Sequence, residues 1–63
     1  MRKEFHQFQL DGKKAIVYFH TEMGWEVDLY ENDVFLETRK VHDHSESYAE
    51  DVAENFVQGI YGV

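Results

Sequence analysis

The stretch WEVDLY at residues 25–30 alternates the apolar side chains of Trp25, Val27 and Leu29 with Glu, Asp and Tyr. A strict period of two is typical of a β-strand with one buried face. The preceding run AIVYF at residues 15–19 is almost entirely β-branched or aromatic, which favours a central strand. Together the two runs predict an antiparallel sheet as the basis of the fold.

Turn signals separate these runs from each other and from a first strand. The Asp-Gly pair at residues 11–12 predicts a two-residue hairpin, because both turn positions need positive φ. It joins predicted strands at residues 4–10 and 13–20. The Glu-Met-Gly run at residues 22–24 predicts a three-residue loop in which glycine takes the left-handed position.

A fourth strand is predicted after the Asn-Asp pair at residues 32–33, since both residues tolerate positive φ. The period of two ends at Val41. In this register Asp28 opposes Glu37, a like-charge pair that argues against it. The predicted cross-strand pairs are Thr21 with Trp25, Phe19 with Val27 and Val17 with Leu29, then Leu29 with Leu36, Val27 with Thr38 and Glu26 with Arg39.

The segment after Val41 has the apolar spacing of an amphipathic helix. Ser47 followed by Glu50 fits a capping box, and Ser45 is a second N-cap candidate. Gly59 or Gly62 can end the helix. The predicted buried stripe comprises Tyr48, Ala49, Val52, Ala53, Phe56, Val57 and Ile60. The fold class is therefore α+β: a four-stranded antiparallel meander with one C-terminal helix packed on one sheet face (ββββα), in a single domain over residues 1–63.

Size and composition limit what the chain can do. Its 63 residues are too few for two hydrophobic cores. The absence of cysteine fits a reducing compartment, and no apolar run is long enough to span a membrane, so we expect a cytoplasmic protein. With 13 acidic against 6 basic residues the net charge is −7, which disfavours direct binding of nucleic acid.

Strand alternation divides the apolar side chains between the two sheet faces. The predicted core face comprises Phe8, Ala15, Val17, Phe19, Trp25, Val27, Leu29, Val34 and Leu36. The opposite face receives Phe5, Ile16, Tyr18, Tyr30 and Phe35, with His20, Glu26, Asp28, Glu37, Arg39 and Val41 around them. The helix covers only one face, so the five large side chains are predicted to form an interface.

The leading functional hypothesis is a small non-enzymatic protein-interaction module that self-associates, as a homodimer with two-fold symmetry. The open faces of two copies would pack together, and edge-to-edge pairing through an outer strand remains an alternative. A host protein is a further candidate partner. No enzymatic activity is predicted, because the chain has no thiol nucleophile, no phosphate-binding glycine loop and no arrangement typical of a catalytic triad, and no cofactor is predicted either.

Two alternative functions follow from other residues. The first is an acidic inhibitor that mimics nucleic acid through the helix carboxylates Glu46, Glu50, Asp51 and Glu54. The second is weak metal binding through His42 and His44, which lie in the loop before the helix. Of the other histidines, His20 is predicted to pair with Glu26 across the second hairpin.

Residues 24–32 (GWEVDLYEN) and 44–55 (HSESYAEDVAEN) resemble short uncharacterised proteins encoded by marine bacteriophages. The resemblance covers about the last forty residues. Where such proteins have Asn-Gly at the third turn, this chain has Asn32-Asp33. The resemblance implies a small protein that acts inside a host cell, and it assigns no site residues.

Overall fold

A computed structural model describes residues 1–59, which form one antiparallel sheet with a helix on one face. The strand order is β1-β2-β3-β4, and the predicted ββββα arrangement is confirmed. Within these residues no helix is both long enough and apolar enough to cross a membrane. The predicted helix positions Ile60 and Gly62 lie outside the described residues. The elements are β1 (Arg2–Leu10), β2 (Lys13–His20), β3 (Gly24–Glu31), β4 (Val34–Val41) and α1 (Glu46–Val57).

The two-residue turns at 11–12 and 32–33 form as predicted. Asp11 and Gly12 have φ of 51° and 82°, and Asn32 and Asp33 have φ of 52° and 67°. Positive φ at both central positions matches the right-handed twist of the flanking strands. The Asn32 backbone N–H donates to the Gly12 carbonyl at 2.7 Å, so the two turns are tied together at one end of the sheet.

The loop between β2 and β3 differs from the prediction by one residue. It comprises residues 21–23, because His20 pairs with Gly24. The His20 Nδ1 accepts hydrogen bonds from the backbone N–H groups of Glu22 and Met23, at 3.2 and 3.3 Å, and these bonds close the loop. The predicted pairing of His20 with Glu26 and the predicted cross-strand pairs of this hairpin are wrong. Phe19 opposes Trp25, and the faces are preserved because each partner shifts by two residues.

A β-bulge at Leu36 changes the predicted register between β3 and β4. Tyr30 opposes Phe35, but the next pair is Leu29 with Glu37, so Leu36 has no partner. Asp28 now opposes Thr38, which removes the like-charge pair with Glu37. The predicted pairs of Leu29 with Leu36, Val27 with Thr38 and Glu26 with Arg39 are wrong, because an extra residue inverts strand parity beyond it.

The core lies between α1 and the sheet, chiefly over β2 with β3 and β1 beside it. Val34, Leu36 and Tyr48 were expected in this core and are exposed, whereas Val41 was expected on the opposite face and is buried. The bulge at Leu36 accounts for the placement of Leu36 and Val41. The core comprises Ala15, Val17, Val27, Leu29, Val41, Ala49, Val52, Ala53, Phe56 and Val57, with Phe8 and Trp25 packed against it.

The boundaries of α1 are set by local caps. Ser45, the second predicted candidate, is the N-cap, and its hydroxyl accepts from the Tyr48 backbone N–H at 3.3 Å. Gly59, with φ of 83°, follows the C-cap residue Gln58 and donates its N–H to the Phe56 carbonyl at 3.0 Å. This left-handed residue ends the helix as predicted.

Candidate functional site

The sheet face opposite the helix, here called the open face, is crossed by an arginine. Arg2 lies on the edge strand β1, and its guanidinium spans β2 to reach two carboxylates on β3. Its Nη1 and Nη2 donate to the two oxygens of Asp28, both at 3.0 Å, and Nη1 also donates to Glu26 Oε1 at 3.2 Å. Glu26 and Asp28 are only 6% and 4% exposed, so this paired arginine compensates two buried negative charges.

Two further side chains contact these carboxylates. Thr38 Oγ1 donates to Asp28 Oδ1 at 2.7 Å, and His42 Nε2 lies 2.9 Å from Glu26 Oε2. Among residues 1–59, no buried side-chain nitrogen or oxygen is left without a hydrogen-bond partner. We call Arg2, Glu26, Asp28, Thr38 and His42 the ion network. Each of its acids therefore has two side-chain partners: Arg2 contacts both, Thr38 contacts Asp28, and His42 contacts Glu26.

The pKa values of the open face follow from this arrangement. Burial alone would raise the pKa of Glu26, but hydrogen bonds from His42 and Arg2 outweigh it and hold that pKa below its ordinary value. The hydrogen bond to Asp28 raises the pKa of Arg2 further above its ordinary value. Burial, and then the negative charge of Asp28, raise the pKa of Tyr18. Glu26 and the Arg2 guanidinium are therefore charged at neutral pH, and Tyr18 is neutral.

Cations also cover two aromatic side chains of the open face, Tyr18 and Tyr30. The Arg2 guanidinium carbon lies 3.9 Å from the centre of the Tyr18 ring, and Lys14 Nζ lies 4.7 Å from the centre of the Tyr30 ring. Ile16 lies between Gln7 and Asp28 in the sheet and is only 8% exposed. A face that no helix covers is thus largely closed by its own long polar side chains.

Four of the five predicted interface residues, Ile16, Tyr18, Tyr30 and Phe35, do lie on the open face. Ile16 is buried and Tyr18 and Tyr30 are half-buried, while Phe35 is exposed and packs edge-on to Tyr30 at 5.5 Å.

Phe5 is on the other face, which corrects its predicted position. It lies at a bulge between Glu4 and His6, and its ring packs edge-on against Trp25 at 5.1 Å and Phe19 at 6.4 Å.

The most exposed apolar stretch of the sheet is on the edge strand β4. Val34, Phe35 and Leu36 are 61%, 52% and 48% exposed. We call these three residues the β4 apolar segment. Sequence alternation predicted only Phe35 as exposed, because it assigned the other two to the core. The signal that could have identified them is the clash of Asp28 with Glu37, which favours a bulge at this point in β4.

No protein-family model matches the chain, no curated protein matches its sequence, and no solved structure matches it.

The histidines predicted to bind metal have other contacts. His42 contacts Glu26, and the His44 ring is stacked on Tyr48 at 3.8 Å. Neither belongs to a group of three potential metal ligands within residues 1–59; the group found there is His6, Glu46 and Glu50. Of the helix acids considered as nucleic-acid mimics, Glu46, Asp51 and Glu54 are exposed, while Glu50 Oε2 lies 2.7 Å from His6 Nδ1.

Proposed function

We propose that this chain is a non-enzymatic protein-interaction module that self-associates as a homodimer through the β4 apolar segment. The observation that carries the proposal is the exposure of three consecutive large apolar side chains, Val34, Phe35 and Leu36, on an edge strand. Burying a Val, Leu or Phe side chain contributes about 1.5–3 kcal/mol. A second copy offers the same segment, so each copy can cover the apolar surface of the other.

The position of the segment favours an edge contact. In the order β1-β2-β3-β4, one side of β4 pairs with β3, and the other side presents backbone groups that a further strand could pair with. Val34 and Phe35 point to opposite sheet faces, and the bulge residue Leu36 is also exposed. Apolar side chains therefore surround the edge itself, and an edge-on partner would bury all three.

A face-to-face contact through the open face is less favourable. Such packing would remove water from the ion network, whose Arg2 side chain is still 33% exposed, and from exposed polar residues such as Glu4 and Gln7. Desolvating an ion pair costs more than its attraction returns unless new hydrogen bonds form. The edge contact leaves the charged core of the network in place, because Arg2, Glu26 and Asp28 lie on β1 and β3, away from the free edge of β4.

Charge limits the extent of the contact. Glu37, Arg39 and Lys40 follow the apolar segment along β4, and charged residues on an edge strand oppose further strand addition. Each copy also carries a net charge of −7, so two copies repel at long range. These features favour a closed pair over an extended chain of copies.

Sedimentation velocity at micromolar concentration tests the proposal. The wild-type chain should sediment as a dimer, and Leu36→Lys should sediment as a monomer with an unchanged circular dichroism spectrum. Met23→Lys is the matched control, because Met23 is an exposed apolar residue in the loop at the other end of β3. It should leave the dimer intact. A wild-type monomer, or a dimer that tolerates Leu36→Lys, would contradict the proposal.

A further inference from the structure

A histidine on β1 and two glutamates on α1 meet where the first strand passes beside the helix. The potential ligand atoms of His6, Glu46 and Glu50 all lie within 4.8 Å of one another. His6 Nδ1 is 2.7 Å from Glu50 Oε2. One imidazole nitrogen and two carboxylate oxygens, supplied by two separate elements, make a donor set that differs from a run of surface acids.

The fold places His6 in this group through the bulge in β1. Glu4 opposes Tyr18 on the open face, but after the bulge His6 opposes Val17, whose side chain is in the core under the helix. Without the extra residue His6 would point away from α1. Its ring also packs edge-on against Phe8 at 6.0 Å, which restricts its orientation. Bulges commonly re-aim side chains in this way at functional sites.

The helix α1 supplies the two carboxylates of the group from one of its faces. Glu46 and Glu50 are four residues apart, so their side chains lie on the same face one turn apart. Two carboxylates at this spacing repel each other. With His6 neutral the three side chains carry two negative charges, which one divalent cation balances.

We propose that His6, Glu46 and Glu50 bind one divalent transition-metal ion of the Zn²⁺ type. Imidazole and carboxylate are ligands that Zn²⁺ accepts, whereas Ca²⁺ and Mg²⁺ prefer oxygen ligands alone. Metal–ligand distances of about 2.0–2.2 Å require ligand atoms roughly 3.3 Å apart in a tetrahedron. Rotation of the exposed Glu46 side chain brings its oxygen into that range, and water occupies the fourth position. The site is separate from the β4 apolar segment and does not depend on self-association.

Metal binding here would clamp β1 to α1. A ligand that binds only the folded chain raises Tm by mass action. At a Zn²⁺ concentration one hundred times Kd, the expected rise in Tm is on the order of 10 °C for a domain of this size.

Isothermal titration of the full chain with ZnCl₂ tests the proposal, with thermal denaturation in parallel. The wild type should bind one Zn²⁺ per chain, and His6→Ala and Glu50→Gln should each weaken binding at least tenfold. Glu54→Gln is the matched control, since Glu54 is an exposed helix acid whose side chain contacts Gln58. His44→Ala controls for the loop histidines. Both controls should bind Zn²⁺ like the wild type.

Two results would overturn the assignment. The first is no heat of binding and no change in Tm with Zn²⁺ at millimolar concentration. The second is binding that survives both His6→Ala and Glu50→Gln, or that is lost in His44→Ala. If His6→Ala fails to fold, Glu46→Gln replaces it, because Glu46 is exposed in the first turn of α1 and its isosteric amide leaves the helix backbone intact. Wild-type affinity in that variant would also reject the site.

Discussion

The two faces of the sheet are closed by different physical means. On one face α1 buries apolar side chains from the strands, among them Val17 and Val27, which are fully buried. On the other face Arg2 reaches across β2 to Glu26 and Asp28, and the ion network covers what no helix covers. Strand alternation determines which side chains share a face. It does not determine whether that face is exposed to solvent, because long polar side chains can also cover it.

Because different interactions close the two faces, the faces should respond differently to substitutions and to pH. Apolar burial is non-directional and roughly proportional to area, so the helix face should respond to lost volume. The ion network depends on a few short contacts to buried charges, so the open face should respond to the loss of one donor and to acid. Four measurements separate the two faces.

The largest effect is expected on the helix face. Phe56→Ala leaves a cavity beneath α1, where Phe56 is buried with Val52 and Val57. Substitutions of this kind cost about 3–5 kcal/mol, which is close to the whole stability of so small a domain. Circular dichroism at 25 °C should show a largely unfolded chain. A folded variant with less than about 1 kcal/mol of lost stability would show that the helix face does not hold the core.

On the open face, Arg2→Ala should cost about 2–4 kcal/mol, because two buried carboxylates lose their shared cation. Urea denaturation measures the change. Lys3→Ala is the matched control, since Lys3 is the adjacent exposed cation and its Nζ lies 5.8 Å from the Phe5 ring rather than near the acids. The control should change the free energy of unfolding by less than about 0.5 kcal/mol. Equal effects from both substitutions would show that Arg2 stabilises the fold only through its charge and not through its contacts with Glu26 and Asp28.

Thr38→Val tests a single donor of the network. Valine keeps the shape of threonine but removes the hydrogen bond to Asp28 Oδ1, so the expected cost is about 1–2 kcal/mol. Thr21→Val, in the exposed loop between β2 and β3, provides the comparison and should have little effect. If the two variants have the same urea midpoint, the bond at position 38 contributes nothing to stability.

Acid should weaken the open face through Glu26. The folded state holds the pKa of Glu26 below its ordinary value of 4.5, so ionised Glu26 stabilises the fold above that pH. This contribution is lost as pH falls through the lower, folded pKa. The free energy of unfolding of the wild type should therefore fall below about pH 5, and Glu26→Gln should lose less over the same range. If the free energy of unfolding of the two proteins falls in parallel as pH is lowered, Glu26 is not the source of the acid sensitivity.

Much of the fold could be predicted from local sequence. The alternation at residues 25–30, the turn pairs at 11–12 and 32–33 and the helical spacing after Val41 are all local patterns, and each specified its element. Six of the nine sheet residues predicted for the core are confirmed, and they lie on β1, β2 and β3, on stretches without a bulge. They are Phe8, Ala15, Val17, Trp25, Val27 and Leu29.

Most of the errors in assigning side chains to the two sheet faces come from the two bulges. The bulge at Leu36 lets Asp28 meet Thr38 rather than Glu37, and the bulge at Phe5 lets that ring join Trp25 and Phe19. Each bulge inverts parity along the rest of its strand, and alternation alone cannot locate it. The link from Arg2 to Asp28 spans 26 residues, so no local pattern revealed that the open face was covered.

Isotope-filtered NMR on a mixture of labelled and unlabelled chains tests the central claim most directly, because it detects only contacts between copies. The ion network should keep the residues beside it, such as Ile16 and Tyr18, out of the interface and leave the edge of β4 as the contact. Intermolecular contacts are therefore predicted from the methyl groups of Val34 and Leu36 and from the ring of Phe35. Intermolecular contacts from Ile16 or Tyr18 would contradict the account.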